Sequence, residues 1–217
     1  MPISIAWTKA YLLGDSITQS AFSNQGCWGA LLADFLNLKC DVAIRGLWGY
    51  TAKEFAAKYE SIFETTNFKN CCFVTILLGT NDSFYHGRRS DVNFESYKTS
   101  MNDLIDKILA SGLSTCQRIV IISPPIIDSA MWNAQCKEGD EEITHVNEDA
   151  AHEYARIALE VAKTRGCSSV DLHSAMGSIS SLLIDGIHLR KEGSDLLFSL
   201  LKPVIKNLTD SITPFPE

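Results

Sequence analysis

The chain contains no run of about 18 apolar residues, so no segment reads as a membrane-spanning helix. Basic charge is also short: 19 Lys and Arg against 26 Asp and Glu leave a formal net charge of −7. A polyanionic partner needs a basic footprint, which argues against nucleic acid. The opening MPISIAWTKAYLL lacks the basic start, the long apolar stretch and the small-residue cleavage site of a signal peptide. Cysteine is present but unorganised. Residues 27, 40, 71, 72, 116, 136 and 167 are an odd number at irregular spacing, with no CxxC pair and no Cys/His cluster. That pattern offers neither a metal site nor a disulfide framework. It reads as free, partly buried thiols in a reducing compartment, the cytoplasm. No repeat, low-complexity tract or linker divides the 217 residues, a length that suits one α/β domain spanning 1–217.

What the sequence does have is alternation. Apolar, β-rich runs lie at 10–13, 41–44, 71–78, 118–123 and 169–172. Between them, apolar residues recur at helical spacing: Trp28, Leu31, Leu32, Phe35 and Leu36, then Phe55, Tyr59, Ile62 and Phe63, then a stripe from Phe94 to Ile108. Residues 147–164 form an Ala-rich helical stretch ending before Gly166, a C-cap. The last helix carries Leu196 to Leu208, with Pro203 expected to kink or interrupt it. Strands that are apolar throughout, alternating with helices, predict an α/β fold: three layers, α/β/α, around a five-stranded mainly parallel sheet. The least regular stretch is 124–146, in which the charged run 137–142 reads as a solvated loop.

In open α/β sheets ligands bind beyond the carboxyl ends of the strands, so the residues after each strand matter most. Gly14-Asp15-Ser16 follows the first, Arg45-Gly46-Leu47-Trp48-Gly49-Tyr50 the second and Gly79-Thr80-Asn81-Asp82 the third; Asp185-Gly186-Ile187-His188 precedes the final helix. The chemistry that uses such a set is acyl transfer. A serine hydroxyl is a weak nucleophile and needs an imidazole beside it, oriented in turn by a carboxylate. Asp185 and His188, three residues apart, can form that pair with Nε2 left for Ser16. The oxyanion that develops needs preorganised donors, and the amides of Ser16 and Gly49 and the side chain of Asn81 suit it. Ser16 can also be read as a helix cap. Asp15 reads as a structural acceptor, and His173, two residues after Asp171, is a rival base. His86, His145 and His152 have no comparable partner in sequence. Phe22, Trp28, Trp48 and Trp132 are candidates for an acyl or alcohol pocket, though aromatics also serve as plain core.

The blocks GDSIT at 14–18, RGLWGYT at 45–51, GTND at 79–82 and DGIHL at 185–189 resemble, in order and spacing, those of the SGNH (GDSL-type) hydrolases. Together with Ala21-Phe22, GCWGALL at 26–32 and the DGIHLRKEG tail, they are most similar to the isoamyl acetate-hydrolysing esterase branch. Ile17 stands where the family motif has leucine. The resemblance implies a flavodoxin-like fold and a cofactor-free, metal-free serine esterase acting on small-molecule esters of short acyl chain. Deacetylation of sugars or other metabolites, and thioester or lysophospholipid hydrolysis, are its alternatives; an inactive binding homologue is the alternative outside enzymes. It makes Ser16 the nucleophile, His188 the base, Asp185 its orienter, and Ser16, Gly49 and Asn81 the oxyanion donors. Gly49 is preferred to Gly46 for its place before Tyr50-Thr51. Phe22, Trp48 and Trp132 are the substrate-binding candidates. A homodimer and a lid formed by residues 124–146 are left open.

Overall fold

The computed structural model describes residues 8–24, 27–63, 68–85, 93–136 and 145–214. Among them strands and helices follow in the order β1 (Thr8–Gly14), α1 (Ser16–Gln19), α2 (Trp28–Phe35), β2 (Cys40–Gly46), α3 (Ala52–Phe63), β3 (Cys71–Leu77), β4 (Phe84–Tyr85), α4 (Phe94–Ala110), β5 (Ile119–Ile122), α5 (Ser129–Gln135), β6 (His145–Val146), α6 (Glu148–Arg165), β7 (Ser168–Val170), α7 (Leu172–Met176) and α8 (Lys191–Thr209). Strands β2-β1-β3-β5-β7, in that order, form a parallel sheet, while β4 and β6 pair antiparallel in a separate ladder.

The strands are apolar throughout because both faces are covered. Side chains alternate between faces along a strand, so Tyr11 and Leu13, Val74 and Ile76, and Ile119 and Ile121 pack into one core with residues of α3, α4 and α6. Ala10, Leu12, Phe73, Leu77, Val120 and Ile122 pack into the other, with residues of α2, α7 and α8. This is the expected three-layer α/β/α arrangement. Fully buried large side chains such as Trp28, Phe55 and Tyr97 each contribute about 1.5–3 kcal/mol or somewhat more through burial. No helix among the described residues is long and apolar enough to cross a membrane.

The sheet order sets the site. Counted along the sheet, the strands run second, first, third, fourth, fifth, so the winding reverses between β1 and β3, where doubly wound folds open a crevice. Gly14 at the end of β1 is level with Gly46 of β2 and Leu77 of β3. The three loops that leave these strands therefore start side by side.

Three details depart from the sequence reading. Helix α8 runs uninterrupted through Pro203. Leu197, Leu201 and Ile205 are buried on its inner face while Pro203 is exposed, so the backbone bond that proline removes lies away from the core packing that holds the helix. The irregular stretch contains a helix, α5, whose N-cap Asp128 accepts from the Met131 amide at 2.7 Å; its charged run at 137–142 lies outside the described residues. Leu172 opens α7 instead of closing a strand, because Asp171 caps that helix.

Candidate active site

The turn after β1 is built around what cannot fit there. A Cβ on Gly14 would sit 2.3 Å from the Leu77 carbonyl and from Thr18 Oγ1. Only glycine lets the chain bend into α1 at that point. Asp15 caps α1, its Oδ1 accepting from the Ile17 amide at 3.0 Å. Its carboxyl is fully buried, and burial pushes its pKa up to about 7 against the pull of that amide and of His188. Ser16 is the first residue of the helix, so its amide has no helical carbonyl to bond. The buried Trp28 indole donates to the Ile17 carbonyl at 3.3 Å and braces the turn from α2.

His188 faces Ser16 from the far end of the chain. Its Nε2 lies 2.8 Å from Ser16 Oγ, and its Nδ1 lies 2.7 Å from Asp185 Oδ2. A carboxylate can only accept, so Nδ1 carries the ring proton and Nε2 offers its lone pair to the serine hydroxyl. Asp185 is itself held: its Oδ1 accepts from the amides of Ile187 at 3.1 Å and His188 at 2.9 Å. Burial pushes the Asp185 carboxyl up, but the His188 ring and these amides outweigh it, and the net pKa lies below the ordinary value. The tight loop depends on Gly186, at φ +99°, where a Cβ would sit 2.4 Å from the Asp128 carbonyl. Asp128 in turn donates its amide to the Gly186 carbonyl at 2.8 Å, so the start of α5 buttresses the loop.

The loop after β2 carries two glycines of different use. A Cβ on Gly46 would lie 2.0 Å from the Gln19 nitrogen, so this glycine lets β2 pass close under α1. Gly49 has φ +75° and open space around the position of a Cβ. The Tyr50 amide donates to the Leu47 carbonyl at 3.2 Å, closing a turn in which Gly49 is the third residue, where a type II turn requires positive φ. Asn81, after β3, donates from Nδ2 to the Tyr50 carbonyl at 3.0 Å, leaving its second N–H for another acceptor. Asp82 accepts from the Ala52 amide at 3.1 Å, tying the same two loops again; burial pushes its carboxyl up to about 7.

The turn at Ser16, Trp48 and the 184–189 loop open on a cavity of about 270 Å³ walled by Ser16, Ile17, Ser20, Ser23, Trp48, Ile184, Asp185, His188 and Leu189, a wall that includes neither Gly49 nor Asn81. Trp48 is 69% exposed at its edge. Phe22 is 45% exposed and lies outside that wall. Trp132 stands elsewhere, edge-to-face on Phe84 with ring centroids 5.4 Å apart, and Trp28 is buried in the core. The rival base His173 lies in another cavity, of about 320 Å³. There its Nδ1 faces the Pro125 carbonyl at 3.4 Å and its Nε2 faces His152 Nδ1 at 3.3 Å, and among the described residues no hydroxyl is bonded to the ring. His86 lies outside the described residues. Among the described residues no group of three or more His, Cys, Asp or Glu side chains gathers as for a metal ion. One contact was not legible in the sequence. Gln19 Oε1 accepts from the Trp48 amide at 2.8 Å, and the only signal for it was that Gln19 directly follows GDSIT.

Residues 12–196 match the model of the GDSL-like lipase/acylhydrolase family. The isoamyl acetate-hydrolyzing esterase 1 homolog of Rattus norvegicus is 33% identical over 216 residues, spanning 96% of this chain and 86% of that protein. Among solved structures, the lipase/acylhydrolase from Enterococcus faecalis superposes with a TM-score of 0.71 at 19% identity, covering 97% of this chain and 100% of that one. A catalytic mutant of an acetylxylan esterase from Geobacillus stearothermophilus gives 0.67 at 18% identity, with 100% of each chain covered. At such identities the two structures speak for the fold alone. The family match and the Rattus norvegicus relative together place the chain in the GDSL-like lipase/acylhydrolase family, as a carboxylic ester hydrolase.

Proposed function

We propose that the protein hydrolyses small esters of short acyl chain, acetates first, through an acyl-enzyme on Ser16. The observation that carries this reading is the unbroken line Asp185–His188–Ser16, with contacts of 2.7 and 2.8 Å, at the wall of a cavity of about 270 Å³. Ser16 Oγ attacks the acyl carbon as its proton passes to His188 Nε2, and the Asp185 carboxylate stabilises the imidazolium. The oxyanion is met by the Ser16 and Gly49 amides and by Asn81 Nδ2. Collapse of the tetrahedral intermediate expels the alcohol, which takes the proton from His188. Water, deprotonated by His188, then releases the acid and restores Ser16. A cavity near the lower end of the usual ligand range suits a small acyl group better than a long chain.

Removal of acetyl groups from sugars is the second reading, favoured by one feature: the open face of Trp48 beside Ser16 suits stacking on a sugar ring. The odd number of cysteines, with Cys40, Cys71 and Cys72 buried as thiols, supports a reducing, cytoplasmic setting.

A fluorophosphonate probe is expected to label Ser16. A p-nitrophenyl ester series is expected to peak at acetate or propionate, run beside isoamyl acetate and acetylated xylose. Labelling and turnover should both vanish in Ser16→Ala; undiminished hydrolysis in that variant removes the reading.

A further inference from the structure

We infer that Gln19 is a positioning residue for the oxyanion site: it fixes the Gly49 amide relative to Ser16. The inference rests on the proposed esterase reading and extends it to a residue with no part in the proton relay.

Ser16 and its amide belong to α1, whereas Gly49 belongs to the turn 47–50 after β2. Two donors act on one oxygen only if the two segments keep a fixed separation, and misplacement by about 1 Å can cost 10²-fold in rate. Three hydrogen bonds hold the turn, each from a different neighbour. The Leu47 amide donates to the Gly14 carbonyl at 2.9 Å, Asn81 Nδ2 donates to the Tyr50 carbonyl at 3.0 Å, and the Trp48 amide donates to Gln19 Oε1 at 2.8 Å. The first two grip the ends of the turn. Among the described residues only the third reaches its middle, on the residue next to Gly49, and it comes from the last residue of the four-residue helix that Ser16 begins.

The backbone around Gln19 prepares this contact. Gly46 has no side chain, so β2 passes so close that a Cβ there would lie 2.0 Å from the Gln19 nitrogen. Gln19 is thus pinned from below by β2, while its side chain reaches up to the turn that continues from the same strand. The bond pairs a neutral amide acceptor with a backbone N–H at an exposed position, so it contributes little to global stability. Its consequence is local. Without it, Trp48, which has an exposed indole and no other anchor for its amide, leaves the middle of the turn held only through its ends.

The test compares wild type with Gln19→Met, which keeps length and loses the acceptor, and Gln19→Glu, which keeps an acceptor at a solvent-screened position. For p-nitrophenyl acetate, Gln19→Met is expected to lower kcat by about tenfold, part of the 10²–10³ expected for losing an oxyanion donor outright. KM and Tm should stay near wild type, and Gln19→Glu should recover most of the rate. Phenylboronic acid, whose serine adduct places an oxygen at the oxyanion position, should bind Gln19→Met about tenfold more weakly. Wild-type kcat and boronate affinity in Gln19→Met overturn the inference, as does a loss that Gln19→Glu fails to recover. Failure of the underlying reading looks different: wild type itself then turns over no ester, or Ser16→Ala turns it over equally well.

Discussion

Asp171-Leu172-His173 and Asp185-Gly186-Ile187-His188 each set an aspartate a few residues before a histidine, and each lies beside a serine. The first loop follows β7, with Ser123 just past the end of the neighbouring β5; the second faces Ser16. In the second, the ring stands between carboxylate and hydroxyl. In the first, the carboxylate and the hydroxyl bond each other. Ser123 donates to Asp171 Oδ1 at 3.2 Å and accepts the His173 amide at 3.0 Å, while Asp171 Oδ1 also accepts from the Ser174 amide at 3.0 Å. The His173 ring turns away to Pro125 and His152. The difference lies in one residue of spacing and one glycine. Asp171 is the N-cap of α7, so its carboxylate is engaged by the helix's own amides and His173 follows the helical path. Gly186, at φ +99°, folds the 185–188 loop back so that His188 meets its own aspartate. Both carboxyls are buried in part, which pushes them up, and both end below the ordinary range because hydrogen bonds outweigh that push. Similar carboxylates thus serve a helix end in one loop and a ring in the other.

The largest effect that can break this comparison comes from exchanging the two rings. His188→Ala is expected to lower kcat for acetate esters by about 10⁴- to 10⁶-fold, as removal of a base from a serine relay does. His173→Ala should leave kcat within about threefold. Comparable losses in both variants would end the distinction between the loops. The aspartates give the next largest contrast. Asp185→Asn should cost about 10⁴-fold in kcat by disturbing the tautomer and orientation of His188. Asp171→Ala should appear in thermal unfolding instead, as loss of a cap worth about 0.5–2 kcal/mol, with kcat nearly intact. A large rate loss in Asp171→Ala with an unchanged Tm would reverse the roles assigned here.

How far the sequence foretold this depends on what each residue must satisfy. Ser16, Asn81, Asp185 and His188 could be named as candidates because acyl transfer needs those functional groups and strand ends are where an open sheet presents them. Gly49 against Gly46 was harder, since both are glycines in one loop. What separates the two is spatial: a side chain at 46 would collide with α1, and one at 49 meets nothing. Trp48 and Trp132 were equivalent in sequence, yet one edges the cavity and the other packs on Phe84, because an aromatic's partner is chosen by tertiary contact. The same holds for α5, whose seven residues were read as irregular. Its start is held by Gly186 and by Glu148, which accepts from the Ser129 amide at 2.8 Å, and neither neighbour is close in sequence. The alternation of strands and helices needed no such knowledge, because burial on both faces writes itself into continuous apolar runs.

The smallest effect is the most selective, because it reads the two histidines through different observables. Burial holds His173 below the ordinary histidine range, and the neighbouring His152 adds to this, against the pull of the Pro125 carbonyl. The unfolded chain, whose histidines titrate near about 6.5, therefore binds the proton more readily than the folded one. Stability from this group is complete above that pH and falls as the pH drops through it. Asp15 and Asp82 act with the opposite sign. Their carboxyls are pushed up to about 7, so between about pH 4 and 7 the folded state holds the extra protons and stability falls as pH rises. The Tm–pH curve is a sum of opposed contributions, and only its difference between wild type and His173→Gln isolates the histidine. Taken from about pH 7.5 to about pH 5.5, wild type should lose more in Tm than His173→Gln. The ratio of their ester-hydrolysis rates should stay constant over the same range. Equal Tm slopes would mean that His173 protonates as freely folded as unfolded, and a rate ratio that drifts with pH would return His173 to the proton relay.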